Sequence, residues 1–153
     1  MQISIIFATY SNSTALACDV LAAELTAAGH TVQQETAAAA TLESLQKPDL
    51  LILASPSWDY NGEQGMPHED FTALRARLDA VSLANKPTAV MALGDSSFTY
   101  FCGAATHLRT WLEEKGGKTV IEPLKIDQYY ANENLAQDQI KAWSKQLLST
   151  FTA

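Results

Sequence analysis

The chain has 153 residues, is 47% hydrophobic, and carries a net charge of −7 with two cysteines. That length fits one domain over residues 1–153, with a core large enough to need no covalent staples. The composition excludes disorder and a disulfide framework, and no apolar run reaches the roughly 18 residues of a membrane span.

The first residues lack the basic segment and cleavage site of a signal peptide, so a cytoplasmic location is expected. His30, His68 and His107 are too scattered to form a metal site. Residues 1–70 hold nine acids and one base, Lys47, a balance of −8; residues 71–153 hold eight acids and nine bases. Such a surface repels nucleic acid and anionic lipid and attracts a basic protein.

Residues 2–8 (QISIIFA) read as a strand buried on both faces. Residues 9–14 (TYSNST) are a hydroxyl-rich loop in which Asn12 or Ser13 can cap the next helix. Leu16, Val20, Leu21 and Leu25 fall at helical spacing within 15–28, and Gly29 ends that helix. Residues 31–35 alternate weakly as a second strand. Residues 36–40 give no clear assignment, and 41–46 have room for one or two helical turns. Residues 50–55 (LLILAS) are a third, buried strand.

Residues 56–66 read as the longest loop. Pro67 then opens a helix at its first turn, with Phe71, Leu74 and Leu78 as its apolar face. A fourth buried strand, 88–93, leads into a polar turn, 94–102, with three aromatic rings in four residues: Phe98, Tyr100 and Phe101. Helix 101–115 turns Ala104, Ala105, Leu108, Trp111 and Leu112 inward and stops at Gly116 and Gly117. A fifth strand covers 118–126. The last helix, 133–151, has Leu135, Ile140, Trp143, Leu147 and Phe151 as its expected core face.

This alternation predicts an α/β fold: a five-stranded parallel, doubly wound sheet with helices on both faces. Crossovers are expected to be right-handed. Ligands of such sheets sit outside the carboxyl ends of the strands, where the strand order reverses. Loops 9–14, 55–66 and 94–102 fall at that edge.

Each loop alone has a plain structural explanation: helix capping for the first, and core packing or a partner contact for Trp58 and the rings of the third. The first loop is neither a glycine-rich nucleotide loop nor a dinucleotide turn. Residues 1–46 contain no Lys or Arg. An anion there is held by backbone N–H groups, hydroxyls and a helix dipole. Together the loops describe a flat ligand, apolar on both faces, hydrogen-bonding along one edge, with one phosphate. That description fits FMN.

The run GDSSFTYFCGA at 94–104, the pattern Thr9-x-Ser11-x-x-Thr14, and Ser55-Pro56-Ser57-Trp58 resemble the short-chain flavodoxins, and the element order agrees along the chain. The resemblance implies a flavodoxin-like fold, non-covalently bound FMN, and low-potential one-electron transfer between a reductase and acceptor proteins. It implies no enzyme activity, no catalytic residue and no metal. Thr9, Tyr10, Ser11, Asn12, Ser13 and Thr14 would enclose the phosphate. Pro56 and Ser57 would lie near the ribityl chain, and Trp58 and Phe98 would sandwich the isoalloxazine. Backbone near Asp95, Tyr100 and Cys102 would bond its pyrimidine edge, and Asp59 with neighbouring Tyr60 would face N5 and O4. Leu93, Gly94 and Phe101 complete the cofactor-site set, with the Phe101 ring expected in the core. His68 and Asp95 are the only nearby acid–base candidates. The implied partners are redox proteins with a basic docking face, met by a monomer that binds neither nucleic acid nor membrane.

Three positions depart from the family pattern. Asn12 replaces a glycine, and tolerates left-handed backbone better than most residues. Phe98 replaces a tyrosine, keeping stacking and losing a hydroxyl. Asp59 replaces a glycine at a peptide that flips toward reduced N5–H in the family, so the flip costs more here. Carboxylates and a dry aromatic sandwich disfavour an anionic reduced ring and lower its potential. Two alternatives stay open: an FMN-dependent NAD(P)H or quinone reductase, which needs an open flavin face, and a flavodoxin-like partner-binding protein without FMN. A phospho-acceptor receiver domain is disfavoured, since Ala8, Thr9 and Ser55 stand where it needs acids.

Overall fold

The computed structural model describes residues 1–60 and 62–152. Its strands are β1 (Gln2–Phe7), β2 (Thr31–Thr36), β3 (Leu50–Tyr60), β4 (Glu63–Pro67), β5 (Pro87–Gly94), β6 (Lys118–Thr119) and β7 (Leu124–Asp127). Its helices are α1 (Ser13–Ala27), α2 (Leu42–Gln46), α3 (Glu69–Arg77), α4 (Ala104–Glu114) and α5 (Glu133–Ser149), with a 3-10 turn at Tyr129–Ala131.

The parallel strands lie in the order β2-β1-β3-β5, with β6 and β7 both alongside β5. The two short strands are the halves of the fifth predicted strand. Pro123 lies between them, and a proline has no N–H to give to a ladder. The sheet is therefore five parallel positions wide, with β4 added antiparallel to β3.

The isoleucine- and leucine-rich strands are buried on both faces because alternate residues serve two cores. Ile6, Leu51, Leu53 and Val90 pack against Phe71, Leu74, Leu108 and Trp111 of α3 and α4. Ile3, Ile5, Ile52 and Met91 pack against Leu21, Leu25, Ile140 and Trp143 of α1 and α5. Each fully buried aliphatic side chain stabilises the fold by about 1.5–3 kcal/mol before chain entropy is counted.

Strand register fixes where the loops emerge. Phe7 pairs with Ala54, Pro56 with Leu93, and Gly94 with Asp127. The chain steps from β1 to β2 on one side, then to β3 on the other. Order reverses between β1 and β3, the ligand-binding position in such sheets, for which flavodoxins are themselves a standard example.

Four expectations are corrected. Residues 56–66 are largely hairpin and not loop: β3 runs on past Ser55 and β4 returns beside it. Pro67 accordingly ends β4, and α3 begins at Glu69 with His68 as its cap. Helix α4 starts at Ala104, three residues late, because Cys102 sits at φ 51, outside the right-handed helical region. Leu135 is 57% exposed. The buried stripe of α5 is Ala136, Ile140, Trp143, Ser144 and Leu147, and Leu135 lies off that helical period.

Candidate functional site

The first loop leaves β1 at Ala8, whose N–H bonds the Ala54 carbonyl at 3.1 Å. Asn12 is the cap residue of α1 and stands at φ 70, in the left-handed region. Its side chain makes no capping bond; only its carbonyl joins the helix, accepting from Leu16 N–H at 3.0 Å. A helix start leaves backbone N–H groups without intrahelical partners, and among the described residues no side-chain cap answers them here. Two hydroxyls of the same loop, Thr9 Oγ1 and Thr14 Oγ1, are buried and have no hydrogen-bond partner among the described residues. Each unmet buried group costs about 1–3 kcal/mol. Donors gathered at a helix start, with no cation among them, suit a phosphate. The loop thus fits the phosphate end of FMN.

The β3–β4 hairpin supplies the second wall. Ser57 pairs with Pro67 and Trp58 with Met66, and the register then shifts before Tyr60 pairs with Glu63. Asp59 occupies that irregularity. Trp58 is 55% exposed. Behind it stands Tyr10, its ring centroid 5.2 Å away, and Tyr10 in turn stacks on His68 at 4.1 Å. The Tyr10 side chain therefore leaves the first loop and supports the second. Burial, then the Glu69 carboxylate beside it, raises the Tyr10 hydroxyl pKa well above the ordinary tyrosine value. His68 Nδ1 accepts from Asp70 N–H at 2.9 Å, and His68 N–H donates to Ser55 Oγ at 2.9 Å. These bonds give His68 a structural place as the cap of α3.

The third loop is tied by carboxylates. Asp95 accepts from Ser97 N–H at 2.8 Å and from Ser97 Oγ at 2.7 Å. These bonds hold its carboxyl below the usual aspartate range. Asp127 accepts from Ser96 N–H and Oγ at 2.8 and 2.7 Å. Phe98 and Tyr100 point outward, at 62% and 59% exposure, while Phe101 packs on the core as expected. Cys102 is buried, with Sγ 3.4 Å from the Ala92 carbonyl, and burial pushes its thiol up to about 12. A buried thiol kept protonated in this way is a poor nucleophile.

These elements enclose two adjoining clefts that share Ser57. The first, of about 200 Å³, is lined by Trp58, Asp59, Asp95, Phe98, Tyr100 and Cys102, with Gln64 and Gly65 of β4. The second, of about 320 Å³, is lined by Ser13, Pro56, Leu93 and Gly94, with Gln128, Tyr129, Tyr130 and Ala131. Trp58 and Phe98 thus face one space, and Ser13, Pro56 and Gly94 face the next. Tyr60 contributes backbone to β3, and its side chain lies outside the described residues.

Gln64 and Gly65, hidden in the presumed loop, and residues 128–131 line the clefts without having been expected there. The second omission had a signal. These residues follow the fifth strand, at the sheet edge where ligands were expected. Among the described residues no group of His, Cys, Asp and Glu can hold a metal ion, and no helix is long and apolar enough to cross a membrane.

Comparison with known proteins agrees with this geometry. The family model for flavodoxin matches residues 5–143. A flavodoxin from Nitratidesulfovibrio vulgaris is 26% identical over 151 residues, covering 98% of this chain and 99% of the relative. The sulfite reductase [NADPH] flavoprotein alpha-component of Photobacterium profundum is 29% identical over 156 residues, covering 99% of this chain and 25% of the relative. Among solved structures, oxidised flavodoxin 2 from Bacillus cereus superposes with a TM-score of 0.86 at 27% identity, covering 97% of this chain and 99% of the other. With the strand order, the hydroxyl loop at the start of α1 and the paired aromatic walls in place, the chain belongs to the flavodoxin family.

Proposed function

We propose that this chain is a low-potential one-electron carrier, shuttling electrons between a reductase and acceptor proteins with non-covalently bound FMN. Family membership makes it an electron-transfer protein and not an enzyme, with FMN as its cofactor. The observation that carries the finer reading is one juxtaposition. Two exposed rings, Trp58 and Phe98, share one cleft, and the cleft beside it, joined through Ser57, reaches Ser13 of a loop with two buried hydroxyls unpartnered among the described residues. That pattern answers a flat ring at one end and a phosphate at the other.

Bound FMN supplies a ring that accepts and returns electrons singly. The protein's part is binding, shielding and electrostatics. Thr9, Ser11, Asn12, Ser13 and Thr14 would hold the phosphate through backbone N–H groups and hydroxyls. Pro56, Ser57, Leu93 and Gly94 would line the sugar chain. Trp58 and Phe98 would cover the ring, which would disfavour direct hydride delivery by a nicotinamide. Asp59 and Asp95 line the ring cleft, with Glu63 at the start of β4 and Asp127 at the end of β7, where it holds Ser96 of the third loop. Negative charge around a ring that gains an electron lowers its potential. The same carboxylates steer a basic docking face onto the ring edge. A basic reductase and a basic acceptor are the proposed partners of a cytoplasmic, single-domain monomer. The likeness to a quarter of a sulfite reductase flavoprotein supports a redox-protein partner of this kind.

The test is the visible spectrum of the purified protein during anaerobic reduction, with chromatography of the released flavin. FMN released in one-to-one amount, and reduction in single-electron steps at low potential, supports the proposal. Colourless protein that takes up no added FMN, or rapid bleaching by NADPH alone, overturns it.

A further inference from the structure

The segment after β7 belongs to none of the three loops that carry the family motif, yet it bridges two of them. The Tyr130 hydroxyl donates to the Ser11 carbonyl of the first loop, across 119 residues of chain. Gln128 Nε2 donates to Asp95 of the third loop at 3.3 Å, and Asp127 holds Ser96. The segment is itself fixed. Gln128 N–H bonds the Gly94 carbonyl at 2.8 Å, and Asn132 Nδ2 reaches the carbonyls of Asp127 and Gln128 at 3.3 Å. The Tyr130 ring stands edge-on against buried Tyr129, centroids 5.7 Å apart. Tyr130 is about half exposed, yet its hydroxyl and ring both have partners, and it lines the second cleft together with Ser13.

The bond falls on an informative peptide. The Ser11 carbonyl and the Asn12 N–H share one plane and point in opposite directions. Fixing the carbonyl toward Tyr130 therefore fixes the Asn12 N–H on the other side. The next residue link is the strained one: Asn12 lies at φ 70, and its side chain makes no capping bond that would hold it there. A non-glycine residue in this region persists only where surrounding structure holds it.

We propose that Tyr130 is a positioning residue for the phosphate loop, holding the Ser11–Asn12 peptide so that residue 12 keeps its left-handed conformation without glycine. This rests on the reading of the site as an FMN site. The role separates phosphate from ring. Tyr130 acts on the loop that grips phosphate, so riboflavin, which lacks the phosphate, does not feel its loss.

The experiment titrates flavin-free protein with FMN and with riboflavin, following quenching of flavin fluorescence. It compares wild type, Tyr130→Phe, Asn12→Gly and the double variant. Tyr130→Phe is expected to weaken FMN about fivefold, the worth of one net hydrogen bond, with riboflavin unchanged. With glycine at position 12 the same Tyr130→Phe change is expected to cost less than about twofold, a non-additivity that marks coupled residues. Thermal unfolding of the flavin-free variants, read alongside, is expected to show a single cooperative transition within several degrees of wild type, which establishes that each variant is folded. Equal losses for FMN and riboflavin, no loss for either, or a full loss with glycine at 12 each overturn the role of Tyr130. Wild type that binds neither flavin overturns the cofactor reading and this inference together.

Discussion

Gly65 and Gly103 meet backbone to backbone. A Cβ added to Gly103 would lie 2.5 Å from the Gly65 carbonyl oxygen, and one added to Gly65 would lie 2.7 Å from Tyr100 Cβ. Gly65 also stands at φ +67. This contact joins the β3–β4 hairpin, which carries Trp58, to the start of α4, which follows Phe98 and Tyr100. Ser57 Oγ reinforces it by accepting from Ala104 N–H at 3.1 Å. Gly103→Ala is expected to cost about 1–3 kcal/mol, because rigid backbone on both sides leaves no room to relax. Urea unfolding of the flavin-free protein measures this; stability within error of wild type would contradict the contact.

Thr14 gives a prediction with opposite signs in two states. Its hydroxyl is buried and unpartnered, and the residue is fully buried. Thr14→Val keeps the branched shape and removes the unmet group. The flavin-free protein is expected to gain about 1 kcal/mol of stability, while FMN binding weakens about tenfold. Riboflavin binding is the internal control and stays unchanged. Denaturant melts and fluorescence titrations check the two signs.

Trp58 and Phe98 reverse that pattern. Both rings are mostly exposed, so folding draws little on Phe98 and only a tilted contact with Tyr10 on Trp58. Alanine at either position is expected to change folding stability by less than about 0.5 kcal/mol. Each substitution is expected to weaken FMN and riboflavin alike, by about 1–3 kcal/mol, the scale of one aromatic stacking face. A loss confined to FMN would show that the ring is not seated between them.

Asp59 lies at the register shift of the hairpin, beside Trp58. Asp59→Gly is expected to ease rearrangement of the peptide between them and to raise the potential for the first electron by about 40 mV. That corresponds to about 1 kcal/mol for one electron. Spectroelectrochemical titration of both variants measures it. An unchanged or lower first potential would remove Asp59 from redox tuning.

The third loop has an acid limit. Hydrogen bonds from Ser97, and then from Gln128, hold the Asp95 carboxyl below its ordinary value of 3.8. A depressed folded pKa contributes stability that is present above the unfolded value and lost as pH falls through the folded one. The loop is therefore expected to be intact above about pH 4 and to loosen below it. In Ser97→Ala the Asp95 carboxyl is expected to titrate closer to 3.8. Carboxyl NMR across pH 2 to 6 follows this directly; an unmoved titration would show that Ser97 does not hold Asp95.

The sequence by itself determined the parallel sheet and the edge at which the site lies. Runs such as LLILAS and QISIIF are too uniformly apolar for a half-exposed strand, and they alternate with helical spacing, which leaves few architectures. It also singled out Trp58, Phe98 and the run TYSNST as the proposed ring walls and phosphate loop, because they are costly or odd at a strand end without a ligand. Four things needed the tertiary structure. The hairpin at β3–β4 was hidden because its pairing lies between strands, and Asp59 and Gly62 read locally as turn residues. Leu135 was misplaced because one leucine says nothing of which helix face meets the sheet. Tyr10 lies in the first loop by sequence, but its ring packs against His68 and Trp58 of the second. Tyr130 reaches Ser11 only because β7 and β1 deliver their ends to one edge. Local pattern records what each segment prefers; contacts between segments distant in the chain leave no local trace, and those contacts set the shape of this site.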